Sequence, residues 1–192
     1  MLLSYQREIL FVICDQNIYI GEDIMAIVER LVSELGHEGG TTRKLLERLP
    51  EEHLAWKPHQ KSMTLGQLGS HLAEILEWTI PILEEEELRL NLEDFTPYIA
   101  GSKREILEKF DINLSKAMEE LRDKSDPFMF KIWRMKTEQK VLIEMPRIDV
   151  VRTMILSHSI HHRGQLTVYL RLKDALLPAI YGPSADDRGQ AH

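Results

Sequence analysis

Apolar residues recur every three or four positions over four stretches of this chain. That spacing lays one hydrophobic stripe along an α-helix. The first stretch runs from about Asp23 to Arg48, with Val28, Leu31, Leu35, Leu45 and Leu49 on the stripe. The same rhythm places Glu38 and Thr42 on the inward face. Gly39-Gly40 weaken this helix by about 1 kcal/mol each relative to Ala, and Leu49-Pro50 ends it. The second stretch opens at Thr64, where Thr64-x-x-Gln67 forms a capping box. Leu65, Leu68, Leu72, Ile75 and Thr79 carry its stripe, and Pro81 kinks or ends it. The third opens at Ser102-x-x-Glu105, carries Leu107, Phe110, Leu114, Ala117 and Leu121, and breaks at Asp126-Pro127. The fourth begins at Pro146, a residue suited to a first helical turn, and runs to about Asp174. Its stripe is Val151, Met154, Ile155, His158, His162, Leu166, Tyr169 and Leu172.

The stretches between the helices read differently. Glu51 to Met63 is a loop, and Glu84 to Glu87 is a charge run expected on a solvated face or a frayed end. From Phe128 to Met145 the pattern alternates with a short period, which predicts a small hairpin or extended excursion. The tail from Leu177 carries Pro178, Gly182-Pro183 and Gly189 and is expected to be irregular. Four amphipathic helices with one long crossover predict an all-α four-helix bundle. A single domain spans residues 25–192. Residues 1–24 do not continue the first stripe and are expected to form a peripheral extension, with Met25 a candidate start of translation. The apolar run Ile9 to Cys14 is too short to span a membrane and lacks a signal-peptide cleavage site.

Composition narrows the function. Of 192 residues, 31 are acidic and 24 basic, giving a net charge of −7. An acidic surface argues against nucleic acid as the partner. One cysteine, Cys14, allows no internal disulfide and fits a reducing, cytoplasmic setting. No apolar run reaches the roughly 20 residues of a membrane-spanning helix.

The chemistry concentrates in the last helix. His158 and His162 lie one turn apart and, at 100° per residue, straddle the middle of the predicted buried stripe. Each buried ring nitrogen there needs a partner. A shared divalent metal would satisfy both, and so would carboxylates or carbonyls. His161 lies at the margin of that face. His71 sits at the edge of the second helix's stripe, where a lone histidine is more often a surface group. His37, His53, His59 and His192 read as solvated. Glu38, a carboxylate on a core stripe, needs either a positive partner such as Arg43 or Arg163 or a hydrogen bond at a metal site.

The run His158-Ser159-Ile160-His161-His162-Arg163-Gly164-Gln165-Leu166, continued by Pro178 to Asp186, closely resembles the C-terminal signature of the DinB family. This is the damage-inducible, metal-dependent helical family, not the DNA polymerase of that name. Trp56-Lys57-Pro58-His59, Ser62 to Leu68 and His71-Leu72-Ala73-Glu74 resemble its first histidine motif. The resemblance implies a bundle of up-down-down-up order, often dimeric. It also implies a divalent cation, nickel or zinc in many members, held by three histidines. Carried over, those are His71, His158 and His162. His161 belongs to the motif without being a usual ligand. Gly39-Gly40 depart from the family pattern, which would loosen the first helix beside the site. Glu38 becomes a candidate for catalysis or support, with Arg163 and Gln165 as supporting groups. Some relatives transfer or isomerise substrates with thiols. The expectation is therefore a metal-dependent transferase or hydrolase acting on a small molecule, with a low-molecular-weight thiol as co-substrate. The alternative is a non-catalytic metal-binding stress-response or structural module. Apolar residues left on outer faces, such as Leu76 and Val168, fit a homodimer.

Overall fold

The computed structural model describes residues 26–91, 93 and 96–186. The expectations for residues 1–24, and the predicted helix start at Asp23, lie outside them. Helix α1 (Ile27–Leu46) comes first, followed by α2 (Leu65–Ile75). A tight turn at Leu76–Trp78 passes α2 into α3 (Thr79–Glu84). Strand β1 (Glu87–Arg89), helix α4 (Lys103–Arg122) and a short α5 (Asp126–Met129) follow. Strands β2 (Ile132–Lys136) and β3 (Val141–Pro146) lead into a long terminal helix. That helix consists of α6 (Arg147–Val150), a π-helical stretch (Val151–Ser157) and α7 (His158–Arg171).

The caps form where the sequence places them. Thr64 Oγ1 accepts from Gln67 N at 3.1 Å, and Gln67 Oε1 accepts from Thr64 N at 2.8 Å. At α4, Ser102 Oγ accepts from Glu105 N at 3.2 Å, while the Glu105 carboxylate takes Gly101 N instead. The start of α1 is capped from afar. Both Asp126 carboxylate oxygens accept from backbone, Ile27 N and Val28 N, at 3.0 Å each. A carboxylate there satisfies two orphan donors and faces the positive end of the helix dipole.

Helices α1 and α2 each pack against both α4 and α7. Leu31, Leu35, Leu45, Leu68, Leu72, Ile106, Phe110, Ala117, Leu121, Leu166 and Leu170 fill the space between them. Helix α1 runs unbroken through Gly39-Gly40. A Cβ on Gly39 would stand 2.6 Å from Leu114 Cδ2, so the missing side chain lets α1 and α4 approach closely. Leu76 is buried, against the expectation that it faces outward, whereas Val168 is exposed.

The all-α expectation needs correcting, because the mostly helical chain also carries a three-stranded sheet of order β1-β2-β3. The expected hairpin is β2–β3, antiparallel, with an irregularity at Met135/Lys136. Strand β1 joins it in parallel through Glu87↔Arg134 to Arg89↔Lys136. The charge run, expected on a solvated face or a frayed end, is exposed over Glu84 to Glu86 and leads straight into a strand at Glu87. Leu88, Leu90 and Leu92 alternate with Glu87, Arg89 and Asn91, a short strand signal obscured by the charge run before it, and the pairing is made through β2. Trp133, fully buried on β2, donates from Nε1 to Pro81 O at 3.1 Å. Arg147 is buried against the end of α3, donating to Ile82 O at 2.9 Å and Glu85 O at 2.8 Å. It also lies over the Phe128 ring. Orphan carbonyls at the end of α3 thus anchor the start of the last helix. Burial pushes the Arg147 pKa down.

Candidate metal centre

His71 sits in the middle of α2, on a turn stitched in place by its neighbours. Ser70 Oγ accepts from Ala100 N at 2.9 Å, and Glu74 Oε1 accepts from Tyr98 N at 3.1 Å. Asn113 on α4 donates to Ala73 O at 2.9 Å. Opposite, the first two turns of α7 present His158 and His162. The Nε2 atoms of His71 and His158 are 3.4 Å apart, and those of His158 and His162 are 2.9 Å apart. The three residues form a group whose potential ligand atoms all lie within 4.8 Å of one another.

The outward nitrogens have oxygen neighbours. His162 Nδ1 is 2.8 Å from Gln165 Oε1, His158 Nδ1 is 3.3 Å from Met154 O, and His71 Nδ1 is 3.7 Å from Glu74 Oε2. An oxygen acceptor favours the proton on Nδ1, leaving the lone pair on Nε2. Three lone pairs then converge on one point and repel unless a cation lies between them. Metal–nitrogen bonds of about 2.0–2.1 Å in tetrahedral geometry would put the nitrogens roughly 3.3 Å apart, close to the spacing here. The donor set therefore fits a divalent cation. All three pKa values are lowered, first by burial and then by the neighbouring histidines. Glu74 opposes this at His71, the Met154 carbonyl at His158 and Gln165 at His162. Neutral imidazole is the form that binds metal.

The centre is not where the helical wheel places it. In α7 the buried residues are Arg163, Leu166 and Leu170, while His158, His162 and Tyr169 are half-buried and Leu172 is exposed. Their mean direction is about 110° from His158, so the histidines lie on the margin of the core face rather than at its middle. The cause is the π stretch. At roughly 4.4 residues per turn it advances about 82° per residue instead of 100°. The buried Val151 and Ile155 are thereby carried round into phase with the buried face of α7, whereas a constant advance of about 100° places them nearer to the histidines.

The other candidates fall outside the triad. His161 is exposed, and its Nε2 is 3.1 Å from Gln165 Nε2. His37 and His59 are exposed, and His53 is half-buried in a loop turn. Glu38 pairs with Arg163, Nη2 to Oε2 at 2.6 Å, and no hydrogen bond among the described residues joins it to the triad. Arg43, the other partner considered for Glu38, pairs with Asp111 and Glu47 instead. Arg163 is almost fully buried and also donates to Glu38 O at 3.1 Å and Thr42 Oγ1 at 3.4 Å. Sequence reasoning missed two residues. Tyr181 closes the Glu38–Arg163 pair, its hydroxyl donating to Glu38 Oε2 at 2.7 Å and accepting from Arg163 Nη2. Burial and the Glu38 bond push the Tyr181 pKa up. Glu74 faces His71, and its position three residues after His71 is the signal that could have found it.

Comparison with known proteins supports the resemblance. Residues 25–189 match the model of the DinB family. The uncharacterized protein YrdA of Bacillus subtilis (strain 168) is 25% identical over 154 residues, covering 78% of this chain and 85% of YrdA. A DinB-like protein from Bacillus cereus ATCC 10987 superposes with a TM-score of 0.63 at 22% identity, covering 81% of this chain and 98% of that one. The DinB-like protein YjoA from Bacillus subtilis gives 0.60 at 17% identity, covering 81% and 99%.

Proposed function

Because the chain belongs to the DinB family, we propose that it binds a divalent cation, nickel or zinc, through His71, His158 and His162. We further propose that it acts on a small molecule as a metal-dependent enzyme, with a low-molecular-weight thiol as co-substrate. The observation that carries this reading is the convergence of three Nε2 atoms whose Nδ1 atoms face oxygen acceptors. Three protein ligands leave a fourth position open, and the half-exposed margin gives it access to solvent. A cation held by these three histidines would supply Lewis acidity, making a bound thiol or water more acidic near neutral pH.

The protein's own residues hold the ligands in place. Gln165 orients His162, and the Met154 carbonyl orients His158. The Glu38–Arg163 pair fixes the rotation of α7 one residue beyond His162. Proton transfer by Glu38 would first require breaking its bonds to Arg163 and Tyr181, so a supporting role fits it better than a catalytic one.

One observation favours the alternative of a non-catalytic metal-binding module. A cavity of about 550 Å³ is lined by Val28, Val32, Gly36 and Met118, and another of about 470 Å³ by Leu90, Thr137 and Gln139. Neither includes a histidine of the triad. A second copy of the chain is the partner we propose, since Val168, Leu172 and Leu176 are 56–63% exposed along the end of the last helix and the segment just beyond it. No helix among the described residues is long and apolar enough to cross a membrane, and we take the cytoplasm as the setting.

Metal-loaded protein tests the reading through its coordination number and exchangeable water. An open, water-bearing position followed by turnover in a thiol-transfer assay supports the enzyme. A closed four-ligand site supports the module, and protein that binds neither nickel nor zinc overturns both.

A further inference from the structure

We propose that Glu74 is a positioning residue that holds His71 with one carboxylate oxygen and the backbone at Tyr98 with the other. Occupation of the metal centre is thereby coupled to the hydrogen bond at the Tyr98 amide, where the segment from Tyr98 to Gly101 begins. The inference rests on the metal-binding reading above and adds to it a route by which the centre reaches a part of the chain that holds no ligand.

The two oxygens of Glu74 face different partners. Oε2 is 3.7 Å from His71 Nδ1, and Oε1 accepts from Tyr98 N at 3.1 Å. The residue is 9% exposed. A buried carboxylate needs a cation or several donors. Among the described residues no lysine or arginine pairs with Glu74, and His71 is the one ion-pair partner it has. A cation on Nε2 draws electron density from the ring and makes Nδ1–H a stronger donor. Loading the centre should therefore draw Oε2 onto Nδ1 and fix the carboxylate. A fixed carboxylate presents Oε1 to the Tyr98 amide more of the time.

The segment itself contains a control. Ser70, the residue before His71, accepts from Ala100 N at 2.9 Å through a hydroxyl that bonds no histidine. Further along, Glu105 accepts Gly101 N at 2.8 Å. The Tyr98 ring lies under Lys109, with Nζ 4.5 Å from the centroid, and Lys109 is tied to Glu77 at 2.9 Å. The ends of the segment are thus held independently of the metal. The Tyr98 amide is the point at which the centre can act on it.

The test compares full-length wild-type protein with Glu74→Gln. Zinc affinity is measured by competition with a chelator, and the cobalt-loaded forms are compared by their visible absorption. Amide hydrogen exchange at Tyr98 and Ala100 is followed with and without zinc at fixed pH. Glu74→Gln should weaken zinc about ten- to hundredfold and shift the cobalt bands. Zinc should slow exchange at Tyr98 in the wild type, with little change at Ala100, and this response should be lost in Glu74→Gln. Equal zinc affinity and an unchanged cobalt spectrum in the variant overturn the proposal. So does wild-type Tyr98 exchange that ignores zinc, and this comparison decides alone if the variant does not unfold cooperatively. Wild-type protein that takes up neither zinc nor cobalt overturns the metal-binding reading itself, and this inference falls with it.

Discussion

Arg163 reaches from α7 across to Glu38 on α1, its Nη2 lying 2.6 Å from Glu38 Oε2. The two side chains are 2% and 12% exposed, so this pair operates away from bulk water. Arg163 also bonds Glu38 O and Thr42 Oγ1, which ties one guanidinium to two successive turns of α1. Neighbouring His162 lies about 100° round the helix and faces His71 on α2. Fixing Arg163 therefore fixes the direction in which His162 faces.

Removing that guanidinium should be expensive. Arg163→Ala leaves a carboxylate nearly buried and unpaired, and the expected loss is about 3–5 kcal/mol of stability. Tyr181→Phe removes only an exposed residue's hydroxyl and should cost about 1 kcal/mol. Urea denaturation of both variants checks the order. A smaller loss for Arg163→Ala than for Tyr181→Phe would mean that the pair does not hold α7.

The triad makes a prediction about metal content. His71→Ala, His158→Ala and His162→Ala should each lower bound nickel or zinc sharply, since each removes one of three anchors. His161→Ala should retain most of it, because that ring is exposed and lies outside the group. Elemental analysis of the purified variants is the direct measurement. Full metal in His71→Ala would remove α2 from the site.

The lowered histidine pKa values set the sign of the pH dependence. The unfolded chain protonates first, near the ordinary value of about 6.5. Stability of the metal-free protein is therefore complete above about 6.5 and is lost as pH falls from there through the lowered folded-state values. Metal release runs in the same direction, since protons compete for Nε2. Melting temperatures between about pH 8 and pH 5 should fall with acidification, and the slope should flatten when all three histidines are replaced.

Adjacent glycines on α1 should respond in opposite ways to the same substitution. A Cβ on Gly40 meets nothing within 4 Å, so Gly40→Ala should raise stability by about 1 kcal/mol. At Gly39 the new atom would press on Leu114, and Gly39→Ala should gain nothing or lose. Denaturation midpoints separate the two. Equal gains would show that α1 and α4 can part at no cost.

The local part of this structure was legible in the sequence. Capping at Thr64 and Ser102 depends on residues three apart, and the helix stripes depend on neighbours within two turns. Both can be inferred without tertiary knowledge. The triad emerged because His158 and His162 share a helix and because the motif around His71 resembles a known family's. What escaped depends on distant partners. Strand β1 has a short alternation of its own, Leu88, Leu90 and Leu92, but the charge run before it obscures that signal, and the strand pairs only with β2. Asp126 caps a helix about a hundred residues earlier in the chain. Tyr181 lies in a stretch whose composition announces irregularity, and although the resemblance takes in that stretch, nothing there points to a contact with Glu38 on α1. The π stretch escaped for a different reason, since a wheel drawn with one constant angle cannot reveal where that angle changes.

That change of angle makes the count of residues before the histidines matter as much as their kind. Arg147 is tied to the end of α3 and Arg163 to α1, so the last helix is clamped on either side of the π stretch. Between the clamps, the wide turn at Val151–Ser157 takes up a phase difference that an ordinary helix would carry forward into α7. Exposed positions there can vary in chemistry at little cost, even Arg152, whose solvated pair with Glu34 is 3.0 Å long. Losing one of them would let the wide turn close into an ordinary helix, since seven residues at about 82° and six at about 100° differ by only about 26°. Gaining one would swing His158 and His162 by about 100° or tear one clamp loose. Over this span the protein should accept many spellings and a shortening by one residue, but no lengthening.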